Sequence, residues 1–223
     1  MTACRACPRL VAWRELAATE KRAAFRDQDY WGKPVPGFGP LDASLLIVGL
    51  APAAHGGNRT GRMFTGDPSG DFLFRALYEV GMASQPTSVS VDDGLELYGV
   101  RMASPVRCAP PENKPTAAER DRCSPFLREE MGLMPRLRSV VVLGGFGWKA
   151  FLPLLGVDRP PRFGHGVELS AGGVRVFGCY HVSPHNTYTG RLTQEMLQDV
   201  LRRASGQDVP FEQQPTKGSS ETL

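Results

Sequence analysis

Two pairs of thiols and one crowded loop are the parts of this chain best equipped for chemistry. Cys4 and Cys7 form a C-x-x-C, and 14 residues separate Cys108 from Cys123. In a reducing compartment such pairs point to metal or redox chemistry rather than disulfides. The second pair is not a C-x-x-C knuckle, which weakens a zinc ribbon, and spacing alone leaves zinc and an iron–sulfur cluster both open. Cys179 stands alone in a strand-like run and reads as a buried apolar residue. The loop is Gly49–Gly70, GLAPAAHGGNRTGRMFTGDPSG, with His55, Asn58, Arg59, Thr60, Arg62, Thr65 and Asp67 crowded between glycines. A connection that long and polar is more often functional than a plain link. Glycine lets backbone approach a ligand closely, and the polar side chains supply specific contacts.

The elements around these residues must bring them together. The apolar run Ser44–Gly49 (SLLIVG) predicts a central parallel strand, and Asp71–Val80 repeats apolar residues at helical spacing up to Gly81. Further strands are expected at 98–106, 139–143 and 174–180. Helices are expected over 9–25, from Ala117 with a break or kink at Pro125, over 148–155 and over 193–204. Thr116 and Glu119 make a capping-box signature. Alternating strands and helices predict an α/β fold, a three-layer α/β/α sandwich around a small, mainly parallel four-stranded sheet. Ligands in such sheets bind beyond the carboxyl ends of the strands, which places the loops 49–70, 104–116 and 181–192 side by side.

Composition narrows the class. With 223 residues, 41% of them hydrophobic, one domain over 1–204 is expected, followed by a disordered tail over 205–223. No apolar run approaches the ~20 residues of a membrane span, and MTACRACPRL lacks a signal-peptide core. A monomeric, cytoplasmic, prokaryotic protein with no membrane partner is the expectation. The net charge of +3 is mildly basic, which is compatible with a polyanion partner. GGFGWK at 144–149 lacks the spacing of a P-loop and the Ser or Thr after its lysine.

Four ordered pieces, Cys4-x-x-Cys7, GLAPAAHGGNRTGRMFTGD, RCAPPENKPT with Cys123, and HVSPHNTYTGRLT, together span positions 4 to 193. On these motifs the chain resembles the iron–sulfur uracil-DNA glycosylases, and most closely family 5, the type B enzymes. The resemblance implies a 4Fe–4S cluster held by Cys4, Cys7, Cys108 and Cys123, with residues 1–40 packed on the domain as a cluster-linked helix and loop. It also implies removal of uracil and other deaminated bases, hypoxanthine-type purines included, from double- and single-stranded DNA, leaving an abasic site.

The chemistry of that reaction assigns expected roles. Phe64 is the stacking partner for a flipped base, and Asn113 offers both donor and acceptor to a uracil edge. His181 is placed to donate to the oxyanion that develops on the departing base. Family 4 carries a glutamate at the second position of its GEAPG motif. That position is Leu50 here, so Asp67 becomes the carboxylate that orients or deprotonates water, alongside a competing role as helix cap. Gly49, Ala51, His55, Gly56, Asn58 and Ser104 complete the expected substrate site. Ser104 stands where family 4 enzymes tend to carry asparagine, which predicts looser base discrimination. Arg59, Arg62, Lys114, His185, Asn186 and Arg191 are expected to contact DNA, with Arg107 also facing the duplex. Two rivals stand beside this reading: a non-catalytic iron–sulfur protein that binds nucleic acid, and a zinc hydrolase using His55, His181 and His185.

Overall fold

The computed structural model describes residues 1–206, so the expected tail, beyond its first two residues, lies outside the described residues. Five strands form one sheet in the order β2 (Val100–Ala103), β1 (Leu45–Val48), β3 (Ser139–Leu143), β5 (Val174–Cys179) and β4 (Glu168–Ala171). The first four run parallel, with Leu45 opposite both Val100 and Ser139, and Ser139 opposite Arg175. The fifth, β4, pairs antiparallel with β5 and was not among the four expected strands. It is an edge strand with exposed alternate residues, so it lacks the continuous apolar run that marks its neighbours. Its signal was the Gly172-Gly173 pair, which turns the hairpin with both residues at positive φ.

Alternation along the strands divides the core between two faces. Leu45 and Ile47 face α3 (Pro68–Glu79) and α7 (Gln194–Ser205), packing with Leu73, Leu77, Leu197 and Leu201. Leu46 and Val48 face α4 (Ala117–Gly132) and α5 (Gly144–Phe151), packing with Leu127, Trp148 and Phe151. This is the three-layer arrangement expected from the sequence. A third, small cluster joins Leu10 of α1 (Pro8–Glu20) to Val106, Cys108, Cys7 and Ala51.

Several boundaries moved for identifiable reasons. The first helix stops at Glu20 because Lys21 takes a left-handed φ of 52°, and Ala23–Phe25 resumes only as a 3-10 turn. The α4 helix continues through Pro125 without the expected break. Pro125 cannot donate to the Asp121 carbonyl, and Ser124 Oγ supplies that bond instead at 3.1 Å. The Thr116–Glu119 capping box forms in full. Gly144–Gly147 belongs to α5 rather than to a loop, and short helices α2 (Gly57–Thr60) and α6 (Pro184–Tyr188) interrupt the segments expected to be loops.

Candidate active site

The three polar loops do meet beyond the carboxyl ends of β1, β2 and β5. They enclose a cavity of about 330 Å³ lined by residues of all three, Phe64, Asp67, Ser104, Asn113 and His181 among them. Its walls begin where β1 ends, because the Gly49 N–H donates to the Ala103 carbonyl at 2.9 Å and holds the loop to the sheet.

Phe64 is seated by two glycines. A Cβ on Gly49 would meet its ring at 2.6 Å, and one on Gly70 would collide with its carbonyl. Its φ of 52° is left-handed, as is the 56° of Asn113 on the proline-stiffened loop after Cys108. Such backbone costs about 1–3 kcal/mol per residue and persists where the surroundings over-determine it, often at functional sites. Two of the four non-glycine residues with positive φ among those described line this one cavity.

Asp67 caps a helix and also lines the cavity. As N-cap of α3, its Oδ1 accepts from the N–H groups of Ser69 and Gly70 at 2.9 and 3.0 Å. Its Oδ2 lies against Gly56, where a Cβ would collide with it. Burial pushes the Asp67 pKa up, and the two N–H donors and the Arg59 charge only partly offset this. The result is a carboxylate of enhanced basicity on the wall of a cavity.

Ser104 is buried, and its hydroxyl donates to the Val106 carbonyl at 2.7 Å. His181, just after β5, reaches the cavity at one edge and is otherwise enclosed by protein, and burial lowers its pKa to about 4. The ring is therefore neutral at neutral pH. The Asn186 amide donates to the His181 carbonyl at 2.8 Å. Ala51 and Leu50 complete one wall, and Pro52, Ala53, Met63, Ser69, Ser183 and Pro184 join the lining without having been singled out in the sequence. They are apolar or small residues with no chemical signature, recognisable only once their loops converge.

Other expected contacts are placed elsewhere. His55, Gly56 and Asn58 do not line the cavity. The Tyr30 hydroxyl meets His55 Nδ1 at 3.0 Å, and Asn58 Nδ2 donates to the Arg14 carbonyl at 3.1 Å. Arg59 and Arg62, expected to face DNA, are buried at 7% and 6% exposure. Arg59 donates to the carbonyls of His55 and Gly66 at 2.7 and 2.8 Å. Arg62 binds Asp93 at 2.6 Å and Ser88 at 2.9 Å. Arg107 is likewise buried and paired with Glu130. These guanidiniums hold backbone and carboxylates inside the fold, so they are not on the surface a phosphate could reach. Lys114, His185 and Arg191 are exposed, the first two each following a lining residue, while Asn186 is half-buried against His181.

The four cysteines line a second, small and mostly apolar cavity with Leu10, Val11, Pro34 and Phe126. Among the described residues no three His, Cys, Asp or Glu side chains form a group that could hold one metal ion. The cage nonetheless gathers four soft donors, which suits iron–sulfur ligation. Burial raises Cys108 and brings Cys123 to about 11, so a metal bound here would have to displace thiol protons. Arg9 draws α1 to the Asn113 loop by donating to the Lys114 carbonyl at 3.1 Å and to Glu119 at 2.7 Å. Cys179 is fully buried in the sheet core, and its thiol is pushed up to about 12. No described helix is long and apolar enough to cross a membrane.

Comparison with known proteins agrees with this geometry. The family model of the uracil DNA glycosylase superfamily matches residues 36–205. The type-5 uracil-DNA glycosylase of Mycobacterium bovis is 56% identical over 208 residues, covering 92% of this chain and 78% of that protein. The type-5 enzyme of Thermus thermophilus is 51% identical over 206 residues, covering 92% of this chain and 93% of its own. A type-4 uracil-DNA glycosylase of Pyrobaculum aerophilum is 30% identical over only 128 residues, 57% of each chain. The chain therefore belongs to the uracil DNA glycosylase superfamily, on its type-5 branch.

Proposed function

We propose that this protein excises uracil from DNA as a monofunctional glycosylase, acting as a monomer in the cytoplasm through one domain over residues 1–204. The observation that carries the reading is the convergence of Phe64, Asp67, Asn113 and His181 on one cavity. Capping α3 occupies Asp67 Oδ1, and a basic carboxylate lining the same cavity as a neutral imidazole is what base excision would use. A base flipped from either duplex or single-stranded DNA stacks on Phe64, and the Asn113 amide reads its polar edge. As the bond from the sugar to the base breaks, its electron pair leaves with the base. Neutral His181 donates a hydrogen bond to the oxygen where that charge collects. Water adds to the anomeric carbon and gives its proton to Asp67, leaving free base and an abasic site. Lys114, His185 and Arg191 are the exposed side chains placed to meet phosphates.

The Ser104 hydroxyl is engaged by Val106, so this wall offers no amide to discriminate between bases. That supports a range extending to hypoxanthine-type purines. Cys4, Cys7, Cys108 and Cys123 would hold the 4Fe–4S cluster, which supplies a structural cross-link between α1 and the Asn113 loop and no catalytic step.

Base release from uracil-containing duplex, read as strand cleavage only after alkali, tests the activity. Wild type is expected to act, and Asp67→Ala, Asn113→Ala and His181→Ala are expected to be impaired. No release from any deaminated substrate would overturn the reading. Ser104→Asn is expected to raise preference for uracil over hypoxanthine, and an unchanged ratio would remove Ser104 from the account.

A further inference from the structure

Arg14, on α1, is buried to 2% exposure yet has no carboxylate of its own. Its Nη1 donates to Cys108 Sγ at 2.9 Å, its Nη2 to the Cys4 carbonyl at 3.1 Å, and its Nε has no partner among the described residues. Among those residues the one carboxylate within 4 Å is Glu15, at 3.9 Å, which is 43% exposed and already gripped by Arg5. Arg107 makes the contrast. It too touches the cage, its backbone N–H donating to Cys123 Sγ at 3.3 Å, but its guanidinium is paired with Glu130, which it shares with Arg101. Arg122, which also lines the cage, donates to the Ala6 carbonyl at 2.8 Å. Taking a guanidinium out of water is unfavourable without an anion close by. For Arg14 the nearest group able to carry negative charge is the cysteine cage, with Cys108 Sγ at 2.9 Å against 3.9 Å for Glu15. The Arg14 backbone is tied in place as well, its carbonyl accepting from Asn58 Nδ2 at 3.1 Å.

We propose that Arg14 is the counter-charge of the cysteine cage, donating N–H···S to Cys108 so as to hold the negative charge of the bound cluster. The inference rests on the reading that the cage carries a 4Fe–4S cluster. Hydrogen bonds to ligating sulfurs and fixed charge nearby set cluster potentials, and a fixed cation in a poorly polarisable interior favours the more negative, reduced form. Arg14 therefore raises the reduction potential and slows loss of the cluster. It is a positioning residue and takes no part in base excision.

The test compares wild type, Arg14→Gln and Arg14→Lys, all purified without oxygen. Iron, sulfide, visible absorbance and midpoint potential are measured per folded molecule. In Arg14→Gln the reduced-to-oxidised ratio at fixed potential is expected to fall about tenfold, a downward shift of about 59 mV for one electron. Bleaching of the cluster under a chelator is expected to be faster. Arg14→Lys keeps the charge but loses the planar fork, so a smaller shift in the same direction is expected. A merely structural role would lower thermal stability and leave the potential unchanged, and that result overturns the proposal. If Arg14→Gln does not fold, the charge is removed with Arg14→Met, and wild-type potential and cluster retention in that variant overturn the proposal equally. Wild type lacking iron and sulfide would overturn the cluster reading and this proposal together. A cluster-bearing wild type whose potential is unmoved in Arg14→Gln overturns this proposal alone.

Discussion

Asp67 and Asp93 begin alike and end as opposites. Each accepts backbone N–H groups, Asp67 from Ser69 and Gly70, Asp93 from Val89, Ser90 and Leu95. Burial works against ionisation at both. At Asp93 the Arg62 guanidinium and three N–H donors outweigh it, and the carboxyl falls to about 2. At Asp67 two N–H donors and the more distant Arg59 do not, and the carboxyl rises. The difference is a close cation and a third N–H donor at Asp93, against deeper burial and the neighbouring Asp71 charge at Asp67. A paired carboxylate is stable and chemically inert, whereas one left to a cavity keeps an affinity for protons that water can use.

Removing the charge from Asp67 breaks the contrast most sharply. Asp67→Asn keeps a side chain that caps α3, so stability should hardly move while base release falls by about 10²–10⁴-fold. A variant retaining near wild-type release would exclude Asp67 as the base. Arg62→Gln should do the reverse. It leaves Asp93 buried and unpaired, costing about 3–5 kcal/mol in denaturant unfolding, with release per folded molecule preserved. Gly56→Ala lies between the two, because its Cβ collides with Asp67 Oδ2. Release is expected to drop by about 10²-fold through misplacement of the carboxylate, alongside a stability loss of about 1–3 kcal/mol.

The smallest effect is in pH dependence, where the two aspartates have opposite signs. Asp93 adds stability that is present above its unfolded pKa, about 3.9, and is lost as pH falls toward about 2. Asp67 has its full stability contribution below that unfolded value and loses it as pH rises through its raised pKa, the same range in which release should switch on. His181 remains neutral down to about 4, so its donor role should survive across that limb. Its depressed pKa gives a stability term present above about 6.5 and lost as pH falls toward 4. Release that is flat in pH above the ordinary carboxylate range would argue against a basic Asp67.

Much of the fold was readable in the chain. SLLIV and SVVVL are apolar without interruption because both faces of a central parallel strand are covered. The Thr116–Glu119 capping box and the turn at Gly81 are local chemistry, which the sequence states directly. The edge strand Glu168–Ala171 was harder, since a half-exposed strand carries only a four-residue alternation. The extent of α4 through Pro125 depended on Ser124 replacing one hydrogen bond.

The site divides in the same way. Residue types and order determined which chemistry was available: four thiols, one carboxylate in Thr-Gly-Asp, one asparagine before Lys-Pro and one histidine after the last core strand. Which of the polar residues in 49–70 would face a ligand was a tertiary decision. Arg59 and Arg62 look in sequence like Lys114 and Arg191, since a guanidinium suits a phosphate or a carbonyl equally well. Only the folded chain shows that His55, Gly66 and Asp93 stand within reach of the first two. A side chain's type sets what it can bind, and the neighbours that folding brings to it decide whether that capacity is already satisfied.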